Sequence, residues 1–176
     1  MSSATKGLGK VEVRLKWDPS PIGTPASDLD IVAAAYPATA PHGAPAYLVH
    51  FDSRSPDGTI TLNRDSKTGQ GLGFDEIMTL ELDRLSPDYG RIVVGVVVQQ
   101  RDGRMTFADI AGTGVRVVEG RTDLAASDLG EVAAATAATV GEFRRGEAGE
   151  WRFHPGVRGF DTDPAAFARV MGGSPS

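Results

Sequence analysis

Carboxylates stand in two stretches of this chain at spacings that suit a hard cation. Asp28 and Asp30 flank a single leucine, and on an extended backbone residues two apart project from the same face. The second stretch, Asp65-Ser-Lys-Thr-Gly-Gln-Gly-Leu-Gly-Phe-Asp75-Glu76, sets acids and hydroxyls among glycines at 69, 71 and 73. Ca²⁺ gathers roughly 6–8 oxygens, several from backbone carbonyls, and glycine lets a short loop turn its carbonyls inward. Asp75 and Glu76 are neighbours where a strand should begin, so their side chains diverge. One can bind while the other points away or returns through a bend.

Rival chemistries fit less well. Counting Asp65 as the first position of an EF-hand loop places Glu76 at the twelfth. However, Lys67 then falls at position three, and Gln70 sits at position six, where glycine is required. Thr68 to Gly73 has the glycines of a dinucleotide loop, but with the wrong spacing, after a polar stretch and before a strand. His42, His50 and His154 are scattered without ligand spacing. Neither a Gly-x-Ser-x-Gly elbow nor a Walker loop occurs. Acid pairs for glycoside chemistry lack an aromatic sugar platform. Residue chemistry alone leaves two readings open, a solvated glycine-rich turn with incidental acids and an oxygen-lined cation site.

Composition narrows the class. The formal charge of −5, with no basic run beyond the pair Arg144-Arg145, offers no footprint for nucleic acid or an anionic membrane. The absence of cysteine removes disulfides, thiolate metal sites and thiol nucleophiles, and favours the cytoplasm. The first ten residues lack the apolar segment of a signal peptide. No apolar run reaches the roughly 18–20 residues of a membrane span. A length of 176 residues suits a single domain over 1–176, with its core at about 8–172. The expectation is a soluble, cytoplasmic protein without membrane insertion.

The elements that would position the acids are mostly strands. Val11 to Trp17 alternates apolar and charged residues, the pattern of a strand with one buried face. Leu29 to Tyr36 reads as strand or short helix, because its alanines leave propensity undecided. Tyr47 to Phe51, Thr59 to Leu62, Glu76 to Leu82 and Gly114 to Glu119 read as strands, and Ser55-Pro56-Asp57-Gly58 as a turn. Arg91 to Val98 is β-branched and apolar on both faces, which predicts a central strand. Glu131 to Val140 fits helix and strand equally. Glu150 to Phe153 reads as a strand led in by Gly146 to Gly149, and Asp163-Pro164 as the cap and first residue of a short terminal helix. Trp17 and Trp151 alternate into apolar faces and are assigned to the core. Six to eight short strands with turns between them predict a mainly β fold, an antiparallel β-sandwich with short helices including one at the C-terminus.

These segments, in this order, resemble the TerD family of bacterial tellurium-resistance and stress-response proteins. The likeness runs through Val-x-Leu-x-Trp17-Asp18-Pro19, Asp28-Leu29-Asp30, Ser55-Pro56-Asp57-Gly58, the loop 65–76, and Gly149-Glu-Trp151-Arg-Phe153 to Gly159-Phe160. The resemblance implies a β-sandwich that binds two neighbouring Ca²⁺ ions, without an established catalytic activity. Asp65, Thr68, Gly69, Gly71, Gly73, Asp75 and Glu76 match the family's central motif. Arg64, Ser66, Gln70, Leu72 and Phe74 depart from it, and Gln70, Leu72 and Phe74 each replace an acid. Five carboxylates remain, enough for one hard cation. Against the two ions of the resemblance, the expectation is therefore one Ca²⁺ site built from Asp28, Asp30, Asp65, Asp75 and Glu76, with Gln70 and Asp57 as secondary ligands and the second site lost. The alternative is a metal-free protein-interaction module, with Leu72 and Phe74 as an apolar contact patch for an unidentified protein partner.

Overall fold

The faultless alternation near the N-terminus becomes strand β1 (Lys10–Lys16), with Val11, Val13 and Leu15 fully buried and the residues between them facing water. A computed structural model describes residues 7–24, 27–64, 74–100 and 103–173. Within them follow β2 (Leu29–Pro37), β3 (Tyr47–Val49), β4 (Ile60–Arg64), β5 (Glu76–Glu81), β6 (Tyr89–Val98), β7 (Gly114–Glu119), β8 (Thr122–Ser127), β9 (Ala137–Arg145), β10 (Trp151–Phe160) and helix α1 (Pro164–Val170).

These ten strands form two five-stranded antiparallel sheets. The first has the order β4-β5-β1-β7-β8 and the second β10-β9-β6-β2-β3. Between them lies one core in which Val11, Val13, Leu15, Met78 and Leu80 meet Leu29, Ile31, Ile92, Val94, Val96 and Phe143. The β-branched run of β6 occupies the centre of its sheet, as its two apolar faces predict. Trp17 and Trp151 are both buried in this core.

A second, smaller core explains why β2 is buried along both faces. Val32, Ala34 and Tyr36 of β2, with Val93 and Val97 of β6, turn away from the first sheet and are covered by Phe167 and Met171 of the α1 region. The helix starts as its sequence dictates: Asp163 Oδ1 accepts from Ala166 N–H at 2.7 Å, and Pro164 fills the first turn. Small residues make room for it. A Cβ built on Gly95 would lie 2.5 Å from Phe167 Cζ and 2.7 Å from the Ala138 carbonyl oxygen.

Two ambiguous segments resolve by context. Leu29 to Tyr36 is strand, because each of its faces meets apolar surface. The 131–140 stretch splits into a short 3-10 turn at Gly130–Val132 and the start of β9 at Ala137. The strand count exceeds the expected six to eight. The strand without a sequence signal is β8, an edge strand whose residues are all at least partly exposed and so carry no apolar alternation. The Tyr47 strand ends at Val49, two residues early, because His50 and Ser53 pair with each other in a tight turn. No helix of the described residues is long and apolar enough to cross a membrane.

Beside α1, the outer face of the second sheet carries an ionic network. Arg91 donates through Nε to Glu142 Oε2 at 2.6 Å and through Nη1 to the carbonyls of Pro41 (3.0 Å) and Gly172 (2.9 Å). Arg144 Nε donates to the same Glu142 oxygen at 2.9 Å. Burial pushes the Glu142 carboxyl up, but the hydrogen bonds and charges of Arg144 and Arg91 outweigh it and bring it down to about 2.

Two outcomes follow from this packing. Gly95→Ala should destabilise the fold by about 1–3 kcal/mol through overpacking against Phe167, read as a lower urea midpoint with an unchanged m-value. The folded-state pKa of Glu142 lies below its ordinary value, so its contribution is complete above about 4.5 and is lost as pH falls toward about 2. Glu142→Gln should therefore flatten the fall in stability across that window. An acid limb as steep as that of the parent would contradict the assignment.

Candidate metal centre

Four of the expected ligands gather at one end of the sandwich, where β2 and β5 begin. Asp30, Asp75 and Glu76 are 1, 1 and 0 % exposed, and Asp28 is 8 % exposed. Burial this deep is unusual for carboxylates and requires compensating polar contacts. The backbone supplies several of them.

Glu76 is the first residue of β5 and sits opposite Leu15 of β1, with its side chain turned toward the second sheet. Its Oε1 accepts from Ile31 N–H at 2.6 Å. That N–H lies on the edge of β2 that β3 covers only over Ala33–Ala35, so the carboxylate takes the place of a missing strand. Asp75 performs the same service at the end of β1. Its own N–H donates to Leu15 O at 2.8 Å, and its Oδ2 accepts from Trp17 N–H at 2.8 Å. The Trp17 indole then reaches across to Ser27 O at 3.2 Å, one residue before Asp28.

Asp28 and Asp30 fall on the face of β2 opposite Leu29 and Ile31, as their spacing predicts. Asp30 Oδ2 accepts from Gln99 Nε2 at 2.6 Å, while Gln99 N–H donates to Asp28 O at 2.9 Å. Gln99, just past the end of β6, thus holds both ends of the Asp28–Asp30 segment. The sequence carried no signal for it, since a polar residue after an apolar strand is ordinary.

Not every expected residue joins this group. Asp65, Gln70 and Leu72 lie outside the described residues. Asp57 is exposed, and its Oδ1 accepts from Thr59 N–H (3.1 Å) and Thr59 Oγ1 (2.7 Å) in a local turn. The register pairs Ile60 with Leu80 and Arg64 with Glu76, so Asp57 stands at the far end of the β4/β5 hairpin from Glu76. Phe74 is half-buried, with the Arg14 guanidinium 5.7 Å from its ring centre. Among the described residues, no three His, Asp or Glu side chains are grouped so that they could hold a metal ion.

The donor chemistry nonetheless fits Ca²⁺. Every acid brought together offers carboxylate oxygen, and the atoms Asp30 Oδ1, Asp75 Oδ1 and Glu76 Oε2 are all buried. Hard oxygen donors away from bulk water suit Ca²⁺ and disfavour a soft metal.

The sequence model of the TerD domain matches residues 1–170. The chain belongs to the TerD domain family. It is 29% identical over 167 residues to the tellurium resistance protein TerD of Serratia marcescens, covering 91% of this chain and 85% of that protein. General stress protein 16U of Bacillus subtilis is 26% identical over 178 residues, 98% of this chain and 92% of the relative. The crystal structure of SAV2460, a protein of unknown function, superposes with a TM-score of 0.94 at 63% identity, covering 97% of this chain and all of the other. The two-sheet architecture is therefore shared with that structure.

Glu76→Ala would leave the Ile31 N–H buried without its acceptor. In the presence of a chelator it should cost about 1–3 kcal/mol of stability, measured by urea unfolding. A change within experimental scatter would remove Glu76 as the link between the sheets.

Proposed function

We propose that this chain is a non-catalytic, Ca²⁺-binding stress-response protein of the tellurium-resistance type, acting in the cytoplasm. The observation that carries the reading is the burial of four carboxylates, Asp28, Asp30, Asp75 and Glu76, at the end of the sandwich where β2 and β5 begin. Membership of the TerD family supports the physiological side, through relatives named for tellurium resistance and general stress. The cytoplasmic placement is supported by the cysteine-free composition. Fold membership by itself does not fix a role, so the proposal rests on the chemistry of the site.

In this reading one ion draws on Asp28, Asp30, Asp75 and Glu76, with Asp65 as a further carboxylate. Gln70 can add an amide oxygen. The ion would supply positive charge to a corner where the protein already keeps several acids dry. It would join the start of β2 to the start of β5. Its role is structural, because the described residues around it include no nucleophile paired with a base.

The test is a thermal melt of the full chain in excess Ca²⁺ and in chelator. Because the ion binds the folded state, stability should rise by RT ln(1 + [L]/Kd), about 2.7 kcal/mol at a hundredfold excess over Kd. Glu76→Gln keeps an oxygen for the Ile31 N–H while removing the charge. It should hold most of the stability seen in chelator and lose most of the Ca²⁺ increment. Identical melting midpoints with and without Ca²⁺ would sink the proposal.

A further inference from the structure

A second site lies on the outer face of the second sheet, at the opposite end of α1 from the acidic corner. Here strand pairing assembles basic residues that are scattered in the sequence. Arg91 of β6 pairs with Arg144 of β9, which pairs with Arg152 of β10. One step along, Glu142 pairs with His154. Like charges directly opposite one another across strands are unfavourable. A cross-strand row of three arginines is therefore an arrangement that the sheet itself does not favour.

Arg91, Arg144, Arg158, His42 and His154 line a cleft of about 420 Å³, together with Glu142, the residue pair Pro155-Gly156, and Met171 and Gly173 beyond α1. That volume is within the range of small-molecule sites. Three guanidinium groups against one carboxylate leave a double positive charge with the imidazoles neutral. The whole chain, by contrast, carries −5. A polyanion would meet repulsion from the rest of the surface, whereas a compact dianion would feel mainly the cleft.

The donors are unequally engaged. Arg91, its side chain 8 % exposed, is held by Glu142, Pro41 O and Gly172 O, and its guanidinium stands 5.0 Å from the Tyr36 ring centre. Arg144, its side chain 52 % exposed, engages only Glu142, through Nε, among the described residues. Arg158 donates through Nη1 to Gly173 O at 2.8 Å and lies over the Phe160 ring at 4.5 Å. A guanidinium carries five N–H donors, so Arg144 and Arg158 retain most of theirs. Their stems are fixed by Glu142 and by Phe160, which lowers the entropy lost on binding. Forked guanidinium donors match the oxygens of a phosphate group.

We propose that this cleft binds a small phosphate-bearing ligand, gripped by Arg144, Arg158 and His154. Arg91 is a positioning residue that, through Glu142, orients Arg144. The site is separate from the acidic corner and does not require a metal ion.

The experiment is isothermal titration of the full chain, in chelator, with inorganic phosphate and with pyrophosphate, alongside sedimentation with phosphatidylcholine vesicles containing phosphatidic acid. Saturable one-to-one binding of a soluble phosphate compound is expected. It should weaken by about tenfold or more in the double variant Arg144→Gln/Arg158→Gln, which should still unfold in one cooperative transition above the assay temperature. Arg116→Gln, on the other sheet, should bind as the parent does. Absence of saturation up to about 10 mM, equal affinity in the double variant, or an equal loss in Arg116→Gln would overturn the proposal. So would retention on the acidic vesicles without any response to soluble phosphate, which would point to a lipid headgroup.

Discussion

A carboxylate takes the place of a strand where the two sheets meet. Beyond Ala33, β3 no longer covers the edge of β2, and the exposed Ile31 N–H needs an acceptor in a region without bulk water. Glu76 provides it from the other sheet, at 2.6 Å and with its side chain fully buried. A charged acceptor makes such a bond shorter and stronger than a neutral one. Asp75 does the same for Trp17 N–H where β1 ends. The two neighbouring acids therefore close the ends of strands in both sheets. Their opposite orientations, expected of adjacent strand residues, allow one short segment to serve two layers.

The same arrangement makes this corner sensitive to charge. Keeping several carboxylates dry is costly unless polar partners compensate. Backbone N–H groups and the Gln99 amide provide part of that compensation. A cation, in the role proposed, would add to it without any rearrangement of β1, β2 or β5. Function and fold would then draw on one set of interactions. An acid here would be needed by the sheets even with no ion bound, so its presence in a sequence is weak proof of metal binding.

Period and propensity made the central strands legible. The alternation at Val11–Leu15, the β-branched run at Ile92–Val98 and the Asp163-Pro164 cap each describe a local structure that tertiary packing reinforces. The stretch Leu29–Tyr36 was undecided because alanine suits both states, and only the covering of both its faces selects strand. Edge strand β8 stayed hidden because an exposed edge imposes no apolar pattern. For the site, Asp28 and Asp30 could be placed on one face from their spacing alone. The backbone partners of Asp75 and Glu76 could not, because Trp17 and Ile31 are 58 and 45 residues away from them. The basic cleft was illegible for a related reason. A linear search finds only the pair Arg144-Arg145, and these two side chains point to opposite faces of β9, where only Arg144 lines the cleft.

Helix α1 sets the electrostatic layout of the outer face. Its first residues, Pro164 and Ala165, lie beside Asp30 and Gln99, and its far end at Met171 lies beside Arg91 and Arg158. Along β6, the partner of Asp30 is Val97 and the partner of Tyr36 is Arg91. Six residues of strand separate them, about 20 Å at the rise of a β-strand. At that distance the acidic corner and the basic cleft are too far apart to pair with one another. The apolar seal of Phe167 over Val32, Val93 and Val97 keeps the space between them dry and uncharged. Moving either cluster to the other end of β6 would place carboxylates and guanidinium groups in contact. They would then satisfy one another. One short helix thus keeps Asp30 apart from the arginines on the same sheet face.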